Sequence, residues 1–174
     1  PPINRTLGIL VNLLRSVPFL ILLIAVQPLT RKIVGTTLGS TATIVPLVIA
    51  AAPFIARLVE SSVKEVDHGA VEAAQSMGAS PAQIVWKVLL PEALPSLAVG
   101  SAIAVTSILS YSAMAGIVGG GGLGDIAIRY GYYRYETEIM LITVALLVLL
   151  VQVMQETGMW IARTLDKRVS KKSK

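Results

Sequence analysis

Side chains able to make or break bonds are scarce in this chain of 174 residues. It has no Cys, which removes disulfides, thiolate nucleophiles and Cys-ligated metals together, and its single His, His68, has no second imidazole to share a metal with. A Ser or Thr nucleophile needs a base beside it, and one loop His is a poor supply. Gly119-x-Gly121-x-x-Gly124 spells a dinucleotide fingerprint, but it follows a long apolar stretch and not a strand, and it lacks the acidic residue that would hold a ribose. No Lys-Ser or Lys-Thr follows it, so it is not a phosphate-binding loop, and no other stretch is one. These glycines are read as a sharp turn or a close packing point, against the plainer reading of a flexible loop. Two patterns remain. A set of caps and small apolar residues at fixed offsets lies between Asp67 and Pro91, which suits docking onto another protein. Tyr111, Ser112 and Met114 combine a hydroxyl-tipped ring, a hydroxyl and a soft thioether on one stretch, which suits lining a path or, equally, packing between helices.

The elements that must position these residues are set by an unusual composition. Charged residues make up 14% of the chain, little more than half the share in ordinary soluble domains, apolar residues 54%, and the mean hydropathy is +0.73. Such a chain has lipid as part of its solvent. The net charge of +5 is local: Arg163, Lys167, Arg168, Lys171, Lys172 and Lys174 against Asp166 account for all of it. A basic run directly after an apolar segment reads as a cytoplasmic membrane flank and not as a nucleic-acid surface. Four spans are expected, at about 7–29, 41–59, 94–118 and 139–162. The last, at 1.5 Å per residue, reaches about 36 Å and crosses a core of about 30 Å. The first is irregular, with Asn12 and Arg15 inside it and Pro18 and Pro28 punctuating it, so a broken or tilted element is expected, with Arg15 near the head groups. With the basic tail (163–174) inside, residues 31–40 and 119–138 lie outside and the loop 60–92 inside. That arrangement places eleven basic residues inside and four outside (Arg31, Lys32, Arg129 and Arg134). The chain begins with Pro and without a signal-peptide pattern, so a preceding span is expected as well. Asn4-Arg5-Thr6 spells a glycosylation sequon, disregarded on the inner side.

The inner loop has its structure written into it. Asp67 caps a short helix whose Ala70, Val71, Ala74 and Met77 form a narrow apolar stripe, and Gly78 ends it in the left-handed conformation. Ser80, Pro81 and Gln83 follow as cap, first helical residue and capping-box partner of a second helix running to about Leu90, before Pro91. The stripe either anchors in a groove of a partner or packs against the protein's own spans, and periodicity does not separate the two. His68 reads as a solvated flank, and Glu156, near the inner end of the last span, as a paired or snorkelling carboxylate.

Glu72-Ala73-Ala74, three residues, Gly78, nine residues, Val88, one residue, then Leu90-Pro91 resembles the EAA loop of inner-membrane permeases of bacterial ABC importers, with Val88 in place of Ile. Arg15-Ser16-Val17-Pro18-Phe19-Leu20 and the stretch from Tyr111-Ser112-Ala113-Met114 into the 119–124 glycines look like the methionine-uptake branch of that family. The resemblance implies an all-α polytopic helix bundle of the type I importer kind, a homodimer with five spans per subunit, the first absent here. Two cytoplasmic ATPase subunits would bring ATP and Mg, with no cofactor or metal in this chain, and a substrate-binding protein would sit outside the bacterial inner membrane. It also implies that Glu72, Ala73, Ala74, Met77, Gly78, Val88, Leu90 and Pro91 couple to the ATPase, and Tyr111, Ser112 and Met114 are read as gate residues. The alternatives are a permease for another amino acid or an osmolyte, an ion-coupled carrier, and a membrane enzyme. A carrier would be expected to hold coupling carboxylates deep in mid-span, and none of the ten acids lies there.

Overall fold

A computed structural model describes residues 2–165, with side chains from residue 6 to residue 164. The basic tail beyond residue 165 and the side chains of Asn4 and Arg5 lie outside the described residues. The chain folds as helices α1 (Pro2–Ser16), α2 (Phe19–Ala25), α3 (Gln27–Val34), α4 (Ser40–Lys64), α5 (His68–Ser76), α6 (Pro81–Ile84), α7 (Leu90–Met114), α8 (Gly122–Ile126) and α9 (Thr137–Leu165), with no strand among the described residues. This is the only arrangement short of a closed barrel that satisfies backbone polar groups in hydrocarbon.

Among the described residues, three stretches are long and apolar enough to cross a bilayer: Ser40–Lys64, Pro81–Val118 and Thr137–Thr164. The expected first span, 7–29, is not one straight rod. Thr6–Ser16 and Phe19–Ala25 meet at 100°, so together they count as a broken span or a re-entrant pair. The cause is Pro18, which forces Val17 out of the helical region and has no N–H to continue the ladder. Either half alone is too short for a core of about 30 Å.

The break at Pro18 agrees with the broken or tilted element expected there; a difference concerns Pro91. The sequence reading ends a helix there and begins a span near Leu94, yet the chain runs on without a break from α6 through α7. The turn Val85–Leu89 is π-helical, and Leu90 N–H donates five residues back to the Val85 carbonyl. A proline inside a regular helix collides with the carbonyl four residues before it, here that of Lys87; the widened turn makes room for the ring. The result is one rod of 38 residues, about 57 Å long, of which only about 30 Å can lie in hydrocarbon.

Helix α7 is central, packing against α4 on one side and α9 on the other, with α8 folded over its end. These approaches use small residues. A Cβ on Gly100 would lie 2.6 Å from Leu58 of α4, and one on Gly158 of α9 would lie 2.6 Å from Ala102. The glycines after α7 behave as the turn-and-packing reading expects. Gly119 adopts φ +70°, and the amides of Gly119 and Gly120 donate back to the Gly116 and Ala115 carbonyls, closing a helix C-terminal motif. Gly116 and Gly124 let the two backbones touch: a Cβ on Gly124 would overlap the Ala113 carbonyl oxygen. A small core of Phe19, Leu23 and Ala115 lies beside this contact, while α9 turns Leu141, Val148 and Leu149 outward as a lipid-facing surface would.

Overpacking of this kind costs about 1–3 kcal/mol. Gly124→Ala is therefore expected to lower the thermal midpoint of the detergent-purified protein by several degrees. Gly8→Ala, where the nearest neighbour of a new Cβ is 3.9 Å away, should leave it unchanged. Differential scanning fluorimetry of the two variants measures the contrast.

Candidate functional site

The segment between α4 and α7 takes its shape from local hydrogen bonds. Asp67 accepts from the Gly69 amide at 2.8 Å and caps α5. At the other end Gly78, at φ +78°, closes the helix: its amide donates to the Gln75 carbonyl and that of Ala79 to Ala74, the paired bonds of a Schellman turn. Ser80 then opens α6 with a complete capping box, its hydroxyl accepting from the Gln83 amide while Gln83 Oε1 accepts from the Ser80 amide at 2.8 Å. Two helices at a fixed angle follow from three side chains and one glycine.

The segment is tied to the spans at its root. Arg57 of α4 donates to Asn12 of α1 at 2.7 Å and pairs with Glu60 at 2.6 Å; Glu60 also meets Lys64 at 2.6 Å. Across the α4–α7 contact, Ser96 donates to Glu65 at 2.6 Å and lies 3.2 Å from the Ser62 hydroxyl. The polar groups of three helices thus gather at the end from which α5 projects. On α5 itself, His68 Nδ1 lies 3.1 Å from Glu72 Oε1, one turn further along.

The apolar stripe divides. Ala74 is buried and Ala70 and Val71 are half-buried, with α5 packed against α6 and the π turn that follows. Met77 is 81% exposed. The inward reading therefore holds for Val71 and Ala74, and the outward one for Met77. Glu72, Ala73 and Gly78 are exposed beside Met77, whereas Val88 and Leu90 are half-buried in the rod and Pro91 is exposed on it. The sequence reading passed over Trp86, which stands 72% exposed in the π turn against α5. Its signal was present: a tryptophan in a loop that the sequence reading leaves outside the four expected spans.

Tyr111, Ser112 and Met114 are not brought together. Tyr111 stacks on Phe19, with ring centroids 4.7 Å apart and planes 13° from parallel, and belongs to the packed core. Met114 instead lines an apolar cavity of about 390 Å³ between α7, α8 and α9, with Ser110, Ile117, Leu147 and Val151. Ser112 is exposed. Glu156 is paired, accepting a hydrogen bond from Gln152 at 3.2 Å. Among the described residues no group of acids and His could hold a metal.

Helices α5 and α6 thus form a pair carried at one end of a membrane rod. The family described as binding-protein-dependent transport system inner membrane component matches residues 1–171. The chain belongs to this family. It is 58% identical over 167 residues to the probable D-methionine transport system permease protein MetI of Vibrio cholerae, covering 96% of this chain and 74% of that one. It is 40% identical over 166 residues to the methionine import system permease protein MetP of Bacillus subtilis, covering 95% and 75%. Among solved structures, the permease superimposes on a chain of the MetNI methionine ABC transporter in inward-facing conformations, with a TM-score of 0.92 and 49% identity over 95% of this chain and 77% of that one. A likeness at 20% identity and TM-score 0.77 to an amino acid ABC transporter shows the shared fold alone.

Loss of an N-cap costs about 1 kcal/mol, roughly a fivefold change in an opening equilibrium. Ser80→Ala is expected to speed amide exchange across residues 81–84 by about that factor while leaving the spanning part of α7 unchanged. Hydrogen–deuterium exchange resolved by peptide reads both regions at once.

Proposed function

We propose that this permease is the membrane-spanning subunit of an ATP-driven importer that carries methionine inward across the bacterial inner membrane. It works as a homodimer with two cytoplasmic ATPase subunits and an extracytoplasmic binding protein. The observation that carries the reading is the rod Pro81–Val118, which joins the exposed turn around Trp86 to a membrane span without a flexible break. The names of its relatives in Vibrio cholerae and Bacillus subtilis supply the substrate.

In this reading the α5–α6 unit is the docking element and the bilayer-crossing part of α7 is what it moves. Met77 and Trp86 are the anchors, because large exposed side chains of this kind dominate protein contacts once buried. Ala73, exposed beside Met77, lets the α5 backbone approach the ATPase closely and Glu72 offers it a carboxylate, while Ala74 seats α5 against α6 and the π turn. Gly78, Val88, Leu90 and Pro91 set the angle between α5 and the rod. Closure of the two ATPase subunits on ATP biases the permease through these contacts, since a ligand shifts an equilibrium only by its differential affinity for the two states. Methionine is a zwitterion with an apolar thioether. Met114 and Ser112 line its path, while Tyr111 holds Phe19 and with it the start of α2. The loop 60–92 and the tail lie in the cytoplasm.

Two results test this. Gly78→Pro cannot adopt the left-handed turn, so it is expected to abolish co-purification of the ATPase subunit, and Trp86→Ala to weaken it by about tenfold. Reconstituted complex should take up labelled methionine on ATP addition, and competition by other amino acids should be weak. Full retention of the ATPase by Gly78→Pro would remove the coupling reading; uptake of another amino acid in preference would remove the substrate.

A further inference from the structure

Three serines of α7 turn their hydroxyls back onto carbonyls one turn earlier in their own helix: Ser101 onto Leu97 at 2.7 Å, Ser107 onto Ile103 at 2.8 Å and Ser110 onto Thr106 at 3.1 Å. That is the ordinary fate of a serine inside a helix. Ser96 does otherwise. Its hydroxyl donates across the helix pair to the Glu65 carboxylate at 2.6 Å, and its oxygen lies 3.2 Å from the hydroxyl of Ser62, which is 4% exposed. The one Ser96 hydrogen serves the carboxylate, so the buried Ser62 hydroxyl donates to Ser96 and the three groups form a chain.

No cation competes for that carboxylate. Among the described residues no Lys or Arg pairs with Glu65, whereas Glu60 is held by Arg57 and Lys64. A carboxylate accepting from a hydroxyl makes a charge-assisted bond, stronger than a neutral one. Its place in the chain gives the bond leverage. Glu65 is the C-cap of α4, and only Val66 separates it from Asp67, the cap of α5. One turn away on both helices, Leu58 and Gly100 meet with no room for a Cβ, so α4 and α7 are already in close contact there. From Glu65 the chain passes through α5, the Gly78 turn and α6, enters the rod, and comes back to Glu65 at Ser96, 31 residues on. Helix α5 is thus joined to α7 twice, at its far end through continuous helix and at its near end through this bond.

We infer that Glu65 is a positioning residue of the coupling step, and that its bond to Ser96 is the latch that makes α5 and α7 move together. The inference rests on the importer reading above and deepens it. With the latch closed, the loop 65–96 is a ring and a push on α5 arrives at α7 from both ends. With the latch open, Val66 becomes a hinge. Helix α5 then still holds the ATPase through Met77 and Trp86, but it tilts against the spans, and part of the nucleotide-driven closure is absorbed in the tilt. The loss that follows is a particular one: ATP hydrolysis continues while transport per ATP falls.

The test uses the full permease–ATPase complex in proteoliposomes with its binding protein, and reads labelled methionine taken up per ATP hydrolysed. Glu65→Ala and Ser96→Ala should each keep the ATPase subunit on co-purification and lower that ratio by about tenfold, the scale of a lost charge-assisted hydrogen bond. The double variant should be no worse than either single one, because both remove the same bond. Glu65→Gln, which keeps an acceptor oxygen for Ser96, should restore most of the ratio. Amide exchange in Glu65→Ala should quicken across residues 66–70 and stay unchanged across 101–110. An unchanged ratio in both single variants, additive losses in the double, or no rescue by Glu65→Gln overturns the latch and leaves the importer reading intact. Detachment of the ATPase from Glu65→Ala and Glu65→Gln alike overturns it too, since a merely structural role disrupts the whole unit. If the wild-type complex takes up no methionine on ATP addition, the importer reading itself falls.

Discussion

In hydrocarbon the hydrophobic effect no longer presses apolar helices together, so a bundle of this composition is held by how closely its backbones approach. Every major contact of α7 is of that kind. Gly100 admits Leu58 of α4, Ala102 meets Gly158 of α9, and beyond the end of the helix Gly116 and Gly124 bring two stretches of main chain into contact with no side chain between them. The buried alanines on the same helix, Ala93, Ala102 and Ala104, extend the pattern. Large apolar residues are left for the outside, where lipid receives them.

That constraint explains how the α5–α6 segment can be both exposed and stiff. Because α7 is fixed on two sides by close contact, a displacement of its extension toward α5 has no soft joint in which to dissipate. The π turn ahead of Pro91 matters here: it lets the helix carry a proline without breaking, where Pro18 breaks the first hydrophobic stretch into α1 and α2 at 100°. The two prolines differ in their surroundings. Pro18 has a β-branched residue before it and no widened turn, so the chain changes direction. Pro91 follows five residues that have already rearranged their hydrogen bonds.

What could be read from the residues was what local chemistry decides. Asp67, Gly78, Ser80 and Gln83 each satisfy a backbone group within a few positions, so cap, turn and capping box are visible as letters at fixed offsets. The glycines at 119–124 announced a turn or a close contact and make both. What stayed hidden depends on partners distant in sequence. Tyr111 and Met114 are three apart and share a face, but Phe19 claims the first and α9 the surroundings of the second. The stripe on α5 could not be assigned to inside or outside because small side chains suit either. Its division, with Ala74 buried and Met77 exposed, comes from where the π turn lies. The continuity through Pro91 was hidden because a π turn has no strong sequence signature.

The account depends most on the α5–α6 unit being the surface that an ATPase holds. The chain contains no Cys, so a single introduced thiol is unambiguous. With Met77→Cys in the assembled complex, a short thiol-directed photocrosslinker is expected to join the permease to the ATPase subunit, with a yield that changes between nucleotide-free and ATP-bound states. The same reagent on a Leu141→Cys complex, where the side chain faces lipid, should give none. No crosslink from position 77 in either state, with the complex intact, would contradict the central claim.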